Sequence, residues 1–281
     1  MIIAKSIAKI RREVAHAKRG GKKVGFVPTM GALHPGHLSL IARAKKNCDY
    51  VVVSIFVNPL QFGPREDFKK YPRNVSKDLR ILYNEQVDML FLPGSDVMYS
   101  EDFSIILEEE LLSRPFCGKY RPGHFQGVCT VVAKLFNIVV PDTAFFGQKD
   151  YQQFKVIERM VRDLDFPVKL VMCPIIREES GLAMSSRNQY LKPAMRRRVA
   201  GIYQALKNAK AACSKHKNLS TLHLIRQVKR DILAVLPHAR IEYIDAVDPD
   251  TLVPLRSVKS HALIAVAVYV DRVRLIDNIL I

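Results

Sequence analysis

Short apolar runs alternate with amphipathic stretches through the first 172 residues of the chain. The runs near 24–27, 50–56, 88–92, 143–146 and 168–172 predict strands, and the stretches near 4–18, 36–46, 75–85, 125–139 and 151–163 predict helices. This is the rhythm of a parallel sheet covered by helices. The clearest helix is 125–139, where Phe125, Val128, Val131, Val132, Leu135, Phe136 and Val139 recur at steps of three and four and make one apolar face for packing on the sheet. After Pro174 the pattern changes to a polar loop, two basic helices near 193–215 and 220–235, and strands near 240–247, 262–270 and 273–280. Only Asp271 and Arg272 separate the last two strands, which predicts an antiparallel hairpin.

These elements predict an α/β fold. A Rossmann-like parallel sheet with helices on both faces is expected over residues 1–175, and a smaller C-terminal α+β lid domain over residues 176–281. In such sheets ligands bind beyond the carboxyl ends of the strands.

At 281 residues, 48% hydrophobic and 25% charged, the chain has the makeup of an ordinary globular protein with one large core or two unequal ones. Its start, MIIAKSIAKIRREV, lacks the separate regions of a secretory signal. The longest apolar run, 262–270, is less than half of a bilayer span and reads as a buried strand. Five scattered cysteines without a Cys-x-x-Cys predict reduced thiols, so a cytoplasmic location is expected. The net charge of +17 is uneven: residues 1–46 carry eleven Lys or Arg against Glu13 alone, and residues 187–230 carry twelve and no acid. Such faces attract polyanions and anionic substrates. The basic residues fall at helical spacings without interleaved aromatics, so a solvated surface is expected from 187 to 230, apart from Arg187, and specific nucleic-acid binding is not.

Chemistry concentrates first in VGFVPTMGALHPGHLSL, residues 24–40, which joins a short strand to a helix through a turn with two histidines. Gly31 and Gly36 allow close approach of a ligand to the backbone, and Pro35 suits the first helical position. A helix starting there points its N–H groups and positive dipole end at the turn, where phosphate oxygens are stabilised. His34 and His37 add two donors to the same anion. His-x-x-His alone equally fits a helix that one histidine caps while the other packs on the sheet.

Four further segments carry polar residues suited to binding a ligand. SIFVNPLQFGPREDFKKYPR, residues 54–73, sets the amides of Asn58 and Gln61 where they can face a small polyhydroxy acid, although Asn58 also suits a structural turn. CGKYRPGHFQGVCTVVAKLF, residues 117–136, offers Arg121 to an anion and His124 to its own loop, and both also suit a capped helix entrance. In FFGQKDYQQF, residues 145–154, Gly147 leaves room for adenine or ribose, Asp150 can accept from ribose hydroxyls or cap the helix, Lys149 brings charge to phosphates, and Gln153 lies one turn on. REESGLAMSSRNQYL, residues 177–191, offers two hydroxyls and a guanidinium to phosphate oxygens.

The His-Pro-Gly-His run resembles the His-x-Gly-His signature of the nucleotidyltransferase superfamily, and the five segments, in this order, resemble the pantothenate synthetase family over nearly the whole chain. The resemblance implies ATP-dependent condensation of (R)-pantoate with β-alanine to give pantothenate, AMP and pyrophosphate through a pantoyl-adenylate intermediate, a step of coenzyme A biosynthesis. It implies catalytic roles for His34, His37, Lys149, Ser185, Ser186 and Arg187. It implies an ATP site from Pro28, Thr29, Met30, Gly31, His34, Gly36 and His37, from Gly147, Gln148, Lys149 and Asp150, and from Ile176, Met184, Ser185, Ser186 and Arg187, of which residues 184–187 form with Asn188 a mobile phosphate loop opposite the histidines. Met30, Gln61 and Gln153 are implied as pantoate contacts. Mg²⁺ is implied with ATP as cosubstrate. Alignment on Tyr71, Pro72 and Arg73 sets Asp78 at the family's metal-associated acid, but its neighbour is Lys77 where relatives often carry a second acid, and Asp78 also reads as a surface residue. A homodimer without a membrane partner is expected. The competing readings are a nucleotidyltransferase that leaves the nucleotide on another small acceptor, and a basic RNA-binding protein on the same fold. The paired amides of Gln61 and Gln153 favour a small hydroxy acid over a phosphorylated acceptor.

Overall fold

A computed structural model describes residues 1–64, 66–216, 218–258 and 260–281; Lys217, one of the basic residues counted above, lies outside them. The chain forms two compact units, Met1–Gln148 with Gln152–Pro174, and Lys149–Tyr151 with Ile175–Ile281.

In the first unit the order is β1 (Ile2–Ala4), α1 (Ile7–Arg19), β2 (Val24–Thr29), α2 (Pro35–Asn47), β3 (Tyr50–Ile55), a 3-10 turn at Pro59–Gln61, α3 (Val75–Asn84), β4 (Met89–Phe91), α4 (Ser95–Met98), α5 (Cys117–Tyr120), α6 (His124–Val139), β5 (Thr143–Gly147), α7 (Tyr151–Asp163) and β6 (Lys169–Cys173). The sheet runs β1-β4-β3-β2-β5-β6 with every neighbouring pair parallel. Strand alternation sends successive side chains to opposite faces. Val27, Val51, Val53 and Phe145 accordingly pack with Leu40, Ile41 and Leu82 of α2 and α3, whereas Phe26 and Phe146 meet Phe136 of α6 edge-on at 6.5 and 6.4 Å. Helices thus cover both faces.

Three details depart from the sequence expectation. Residues 2–4 form an edge strand on β4, and the helix expected from residue 4 begins at Ile7, because Ser6 caps it by accepting the Lys9 amide at 3.3 Å. Helix α6 is buried nearly all round rather than on one face, since the turn at Pro59–Gln61 and α1 pack on it as well as the sheet. The long helix expected at 193–215 is two, α8 (Pro193–Arg198) and α9 (Gly201–Lys215). Gly201 opens the second where a Cβ would sit 3.0 Å from Val235, so glycine lets α9 lie close to its partner helix.

The second unit continues with a two-residue strand β7 (Leu219–Ser220), α10 (Thr221–Val235), β8 (Arg240–Val247), β9 (Ser257–Val258), β10 (Leu263–Val270) and β11 (Val273–Leu280). Its sheet has the order β11-β10-β8, antiparallel throughout, and β7 pairs with β9 separately. The expected hairpin is present, with Val270 opposite Val273 and Asp271 at a positive φ of 53°. Leu206, Leu224, Val228 and Ile232 of α9 and α10 close a core with Ile264, Val266 and Val268 of β10.

Candidate active site

Strands β2 and β3 pair over six residues up to Thr29 opposite Ile55, but β2 and β5 pair only at Gly25–Thr143 and Phe26–Ala144. The sheet therefore parts beyond Phe26, between the two central strands from which the chain order runs outward in opposite directions. That is the crevice where α/β sheets take ligands. A Cβ on Gly147, at the end of β5, would meet nothing within 4 Å, which leaves its backbone face open to a flat group.

The turn after β2 is held from below. Thr29 donates its hydroxyl to the Ser54 carbonyl at 2.8 Å and accepts the Gly31 amide at 3.1 Å. Gly31 has φ 81°, and a Cβ there would sit 3.0 Å from Asp78 Oδ2, so both conformation and space require glycine. Asp78 accepts the amides of Ala32 and Leu33, each at 2.8 Å, one on each oxygen. It is 2% exposed, which corrects the surface reading. Each oxygen accepts one amide, so Asp78 holds the turn between β2 and α2. Among the described residues no group of three or more His, Cys, Asp or Glu could hold a metal ion.

Helix α2 starts at Pro35 as expected, and both histidines cap it. His34 Nδ1 accepts the Gly36 amide at 3.1 Å and His37 Nδ1 accepts the His34 amide at 3.4 Å. The reading in which one histidine caps and the other packs on the sheet is thereby replaced. An Nδ1 that accepts carries no proton, so each neutral ring holds its hydrogen on Nε2 and offers that edge as a donor. Two Nε2–H groups and a helix N-terminus make an anion-stabilising corner. Pro28, Met30 and Gly36 lie half-buried along the same turn.

Gln61 is 8% exposed, with Nε2 3.2 Å from Met30 Sδ and Oε1 accepting from Asn58 Nδ2 at 3.2 Å. Asn58 is saturated: its Nδ2 also donates to the Gly127 carbonyl at 2.9 Å, and its Oδ1 takes the Leu60 amide at 3.3 Å and the Tyr99 hydroxyl at 2.7 Å. The turn reading holds for Asn58, which orients Gln61. Arg121 and His124 also serve Gln61. His124 Nε2 lies 3.0 Å from Arg121 Nη1, a cation that only donates, so His124 Nδ1 carries the hydrogen it gives to the Gln61 carbonyl at 2.9 Å. The anion that Arg121 meets is Glu66, at 2.7 and 2.6 Å. Gly127 and Tyr99 were not singled out by sequence. A Cβ on Gly127 would sit 2.3 Å from the Leu60 carbonyl, so glycine alone lets α6 support this turn so closely. Gln153 lies half-buried on the first turn of α7.

In the second unit, Lys149 Nζ lies 3.7 Å from Asp150 Oδ1, with side chains 20% and 48% exposed. Residues 177 and 183 bridge as antiparallel strands, and the Met184 amide donates to the Ile176 carbonyl at 2.9 Å, which shapes the entry to Ser185, Ser186 and Arg187. Ser185 Oγ accepts the Arg187 amide at 3.3 Å, capping a 3-10 turn at Ser186–Tyr190. Asn188 is a scaffold residue, 2% exposed, donating to Glu178 Oε1 at 2.8 Å and the Ala183 carbonyl at 3.0 Å. Arg196 grips the same Glu178 at 2.9 and 2.8 Å, and that bond raises its pKa. Arg196 remains exposed, with 45% of its side chain open to solvent, as expected of this face, and it is paired there with Glu178.

All five cysteines are free and buried, and burial pushes Cys129 up to about 12 and raises Cys48, Cys173 and Cys213. Those four thiols are disfavoured as thiolate nucleophiles for covalent acyl transfer. The groups at hand instead suit phosphoryl electrostatics.

Residues 2–280 match the model of the pantoate–β-alanine ligase family. This chain belongs to the pantoate–β-alanine ligase family. It is 48% identical over 285 residues to a pantothenate synthetase of Thermotoga neapolitana, covering 99% of both chains, and 51% identical over 263 residues to one of Sulfurihydrogenibium sp., covering 93% of both. Its structure matches pantothenate synthetase of Thermus thermophilus with TM-score 0.94 at 44% identity over 99% of each chain. It matches pantoate–β-alanine ligase of Francisella tularensis, complexed with β,γ ATP and β-alanine, with TM-score 0.81 at 36% identity over 100% and 97% of the two chains. The activity of the family is the ATP-dependent condensation of pantoate with β-alanine, as the sequence resemblance implied. Among the described residues no helix is long and apolar enough to cross a membrane.

Proposed function

We propose that this chain makes pantothenate in two steps, and that its charged groups act mainly in the first. The pantoate carboxylate attacks the α-phosphorus of ATP, the new P–O bond forms as pyrophosphate leaves, and pantoyl adenylate results. Two anions must meet, and the phosphate gathers charge as they do. Positioned donors are the means by which proteins accelerate such a transfer. The Nε2–H edges of His34 and His37, the ammonium of Lys149, and Ser185, Ser186 and Arg187 have this role in the proposal.

In the second step the neutral amine of β-alanine attacks the acyl carbon, the C–N bond forms, AMP leaves with the bonding pair, and the amine proton passes to solvent. This step needs proximity and no protein nucleophile. Gln61 and Gln153 bind the hydroxyls and carboxylate of pantoate, with Met30 beside them, while Gly147, Gln148, Asp150, Ile176 and Met184 border the nucleoside. Mg²⁺ bound with the nucleotide would be held by its phosphates and would neutralise part of their charge. We also propose a cytoplasmic homodimer, supported by the exposed apolar side chains of Ile105, Ile106 and Leu111, and checked by sedimentation at working concentration.

The observation that carries the reading is the paired histidine cap at the head of α2, in which each Nδ1 accepts a backbone amide and leaves the ring hydrogen to Nε2. Pyrophosphate exchange tests it. With pantoate and Mg-ATP but no β-alanine, labelled pyrophosphate should enter ATP, and a strict need for both acceptors together would rule out the adenylate.

A further inference from the structure

Strand β11 reads Val-Arg-Leu-Ile-Asp-Asn-Ile-Leu, and two of its polar residues, Asp277 and Asn278, are 6% and 3% exposed. Neighbours on a strand face opposite sides, so a single wet face cannot account for both. A buried carboxylate beside a buried amide in an apolar strand costs stability unless each is fully engaged. A polar pair of this kind, against the local pattern, marks a position kept for something other than packing.

Their partners show what they hold. Arg177 clamps Asp277 through both nitrogens, at 2.7 and 2.9 Å, and also donates to the Gly181 carbonyl at 3.1 Å. Its guanidinium lies 3.4 Å from the centre of the Tyr203 ring, which fixes the plane of the clamp. Asp277 Oδ1 accepts the Asn278 amide at 2.8 Å, and Asn278 Nδ2 donates to the carbonyl of Lys149 at 3.0 Å. One chain of bonds therefore joins the small hairpin that leads into Ser185, Ser186 and Arg187 to the backbone of Lys149, by way of Asn278, 129 residues from Lys149 in sequence. All of these residues belong to the second compact unit, which takes in Lys149–Tyr151.

We propose that Asn278, oriented by Asp277 and Arg177, is a positioning residue for Lys149 in the adenylation step. The inference rests on the assignment of Lys149 to that step. The ammonium sits on a flexible stem, and a backbone shift of a fraction of an ångström at Lys149 is passed on to it. Tethering the carbonyl fixes the root of the side chain. It also gives the lysine and the hydroxyl-bearing loop a common support, so the two sets of phosphate donors keep one register.

The test is a double-mutant cycle read separately on the two half-reactions, using the full-length protein. Pyrophosphate exchange with pantoate reports adenylation, and supplied pantoyl adenylate with β-alanine reports amide formation. Lys149→Ala comes first: it should slow exchange by more than about a hundredfold and amide formation far less. Equal slowing of both removes the assignment of Lys149, and this proposal with it. Given that selectivity, Asn278→Ala should slow exchange about tenfold, the scale of one hydrogen bond, and leave amide formation within about twofold. In the Lys149→Ala background the same change should have no further effect, because no ammonium remains to be misplaced. Full additivity, or equal slowing of both half-reactions by Asn278→Ala, would mean that Asn278 only supports the fold and would overturn the proposal. Should the alanine variant fail to fold, the isosteric Asn278→Asp, which sets an acceptor against the Lys149 carbonyl, is read by the same criteria.

Discussion

The rings of His34 and His37 lie 4.0 Å apart between centroids, each with its Nδ1 turned to a backbone amide of the same helical turn. Capping and catalysis thus use opposite edges of each imidazole. An asparagine amide oxygen falls near the place of Nδ1 but brings no donor to the place of Nε2. His37→Asn and His34→Asn should therefore melt close to the wild type while losing more than about a hundredfold in pyrophosphate exchange. The alanine variants should show the same kinetic loss plus about 1 kcal/mol of stability lost with the cap. Thermal melts alongside exchange assays separate the two edges, and an asparagine variant that keeps most of its activity would exclude the donor role.

Asp78 holds the turn before α2 through the amides of Ala32 and Leu33. Removing it takes the carboxylate acceptor from the buried amide of Leu33 and the part-buried amide of Ala32. Asp78→Ala should destabilise the protein by about 2–4 kcal/mol in urea unfolding, because bonds to a charged acceptor are worth about 1.5–3 kcal/mol each and are not additive here. The milder Asp78→Asn should leave the Mg²⁺ concentration for half-maximal exchange unchanged. A large rise in that concentration would make Asp78 a metal ligand after all.

Gly127 allows α6 to touch the Leu60–Gln61 backbone, where an added Cβ would stand 2.3 Å from Leu60 and 2.5 Å from the Gln61 amide nitrogen. Gly127→Ala must push the turn away and misdirect the Gln61 amide. Steady-state kinetics should show the KM for pantoate raised about tenfold, with the KM for ATP little changed, and stability lowered by about 1–3 kcal/mol from overpacking. Equal changes for both substrates would show that Gln61 does not belong to pantoate.

Partial burial works against ionisation of Asp142, but the Val24 amide at 2.7 Å and the Lys18 ammonium at 2.9 Å outweigh it and hold the carboxyl below the usual carboxylate range. A folded-state pKa below the unfolded one means that the unfolded chain takes up the proton first. The stabilisation from Asp142 is then complete above the unfolded value, about 3.9, and disappears as the pH falls through the folded value. Urea midpoints of wild type and Asp142→Asn should differ at pH 7 and converge below about pH 4. A difference that stays constant over this range would show that Asp142 acts without its charge.

Much of this molecule is written in local pattern. Short apolar runs alternating with amphipathic stretches determine the parallel sheet, and two polar residues between two apolar runs determine the β10–β11 hairpin, because periodicity and turn length act over a few residues. The His-Pro-Gly-His turn and the four segments after it likewise identify the family, since each is a contiguous string whose chemistry survives without knowledge of what lies across from it. The edge strand at Ile2–Ala4 and the β7–β9 pair were not legible, for they are two or three residues long and exist only because a partner strand is there. The same holds for the roles of polar residues. Asn58 and Gln61 stand three positions apart with the same amide, yet only the Gly127 carbonyl and the Tyr99 hydroxyl, 69 and 41 residues away, commit Asn58 to the scaffold. Asp78 passes for a helix surface until Ala32 and Leu33 close on it, Arg196 for one more unpaired cation until Glu178 meets it, and Asn278 for an oddity in an apolar strand until the carbonyl of Lys149 arrives from 129 residues upstream. Sequence spacing specifies which groups a segment offers; which of them are used up by distant backbone, and which are left to face a substrate, is decided by tertiary hydrogen bonding that no local period encodes.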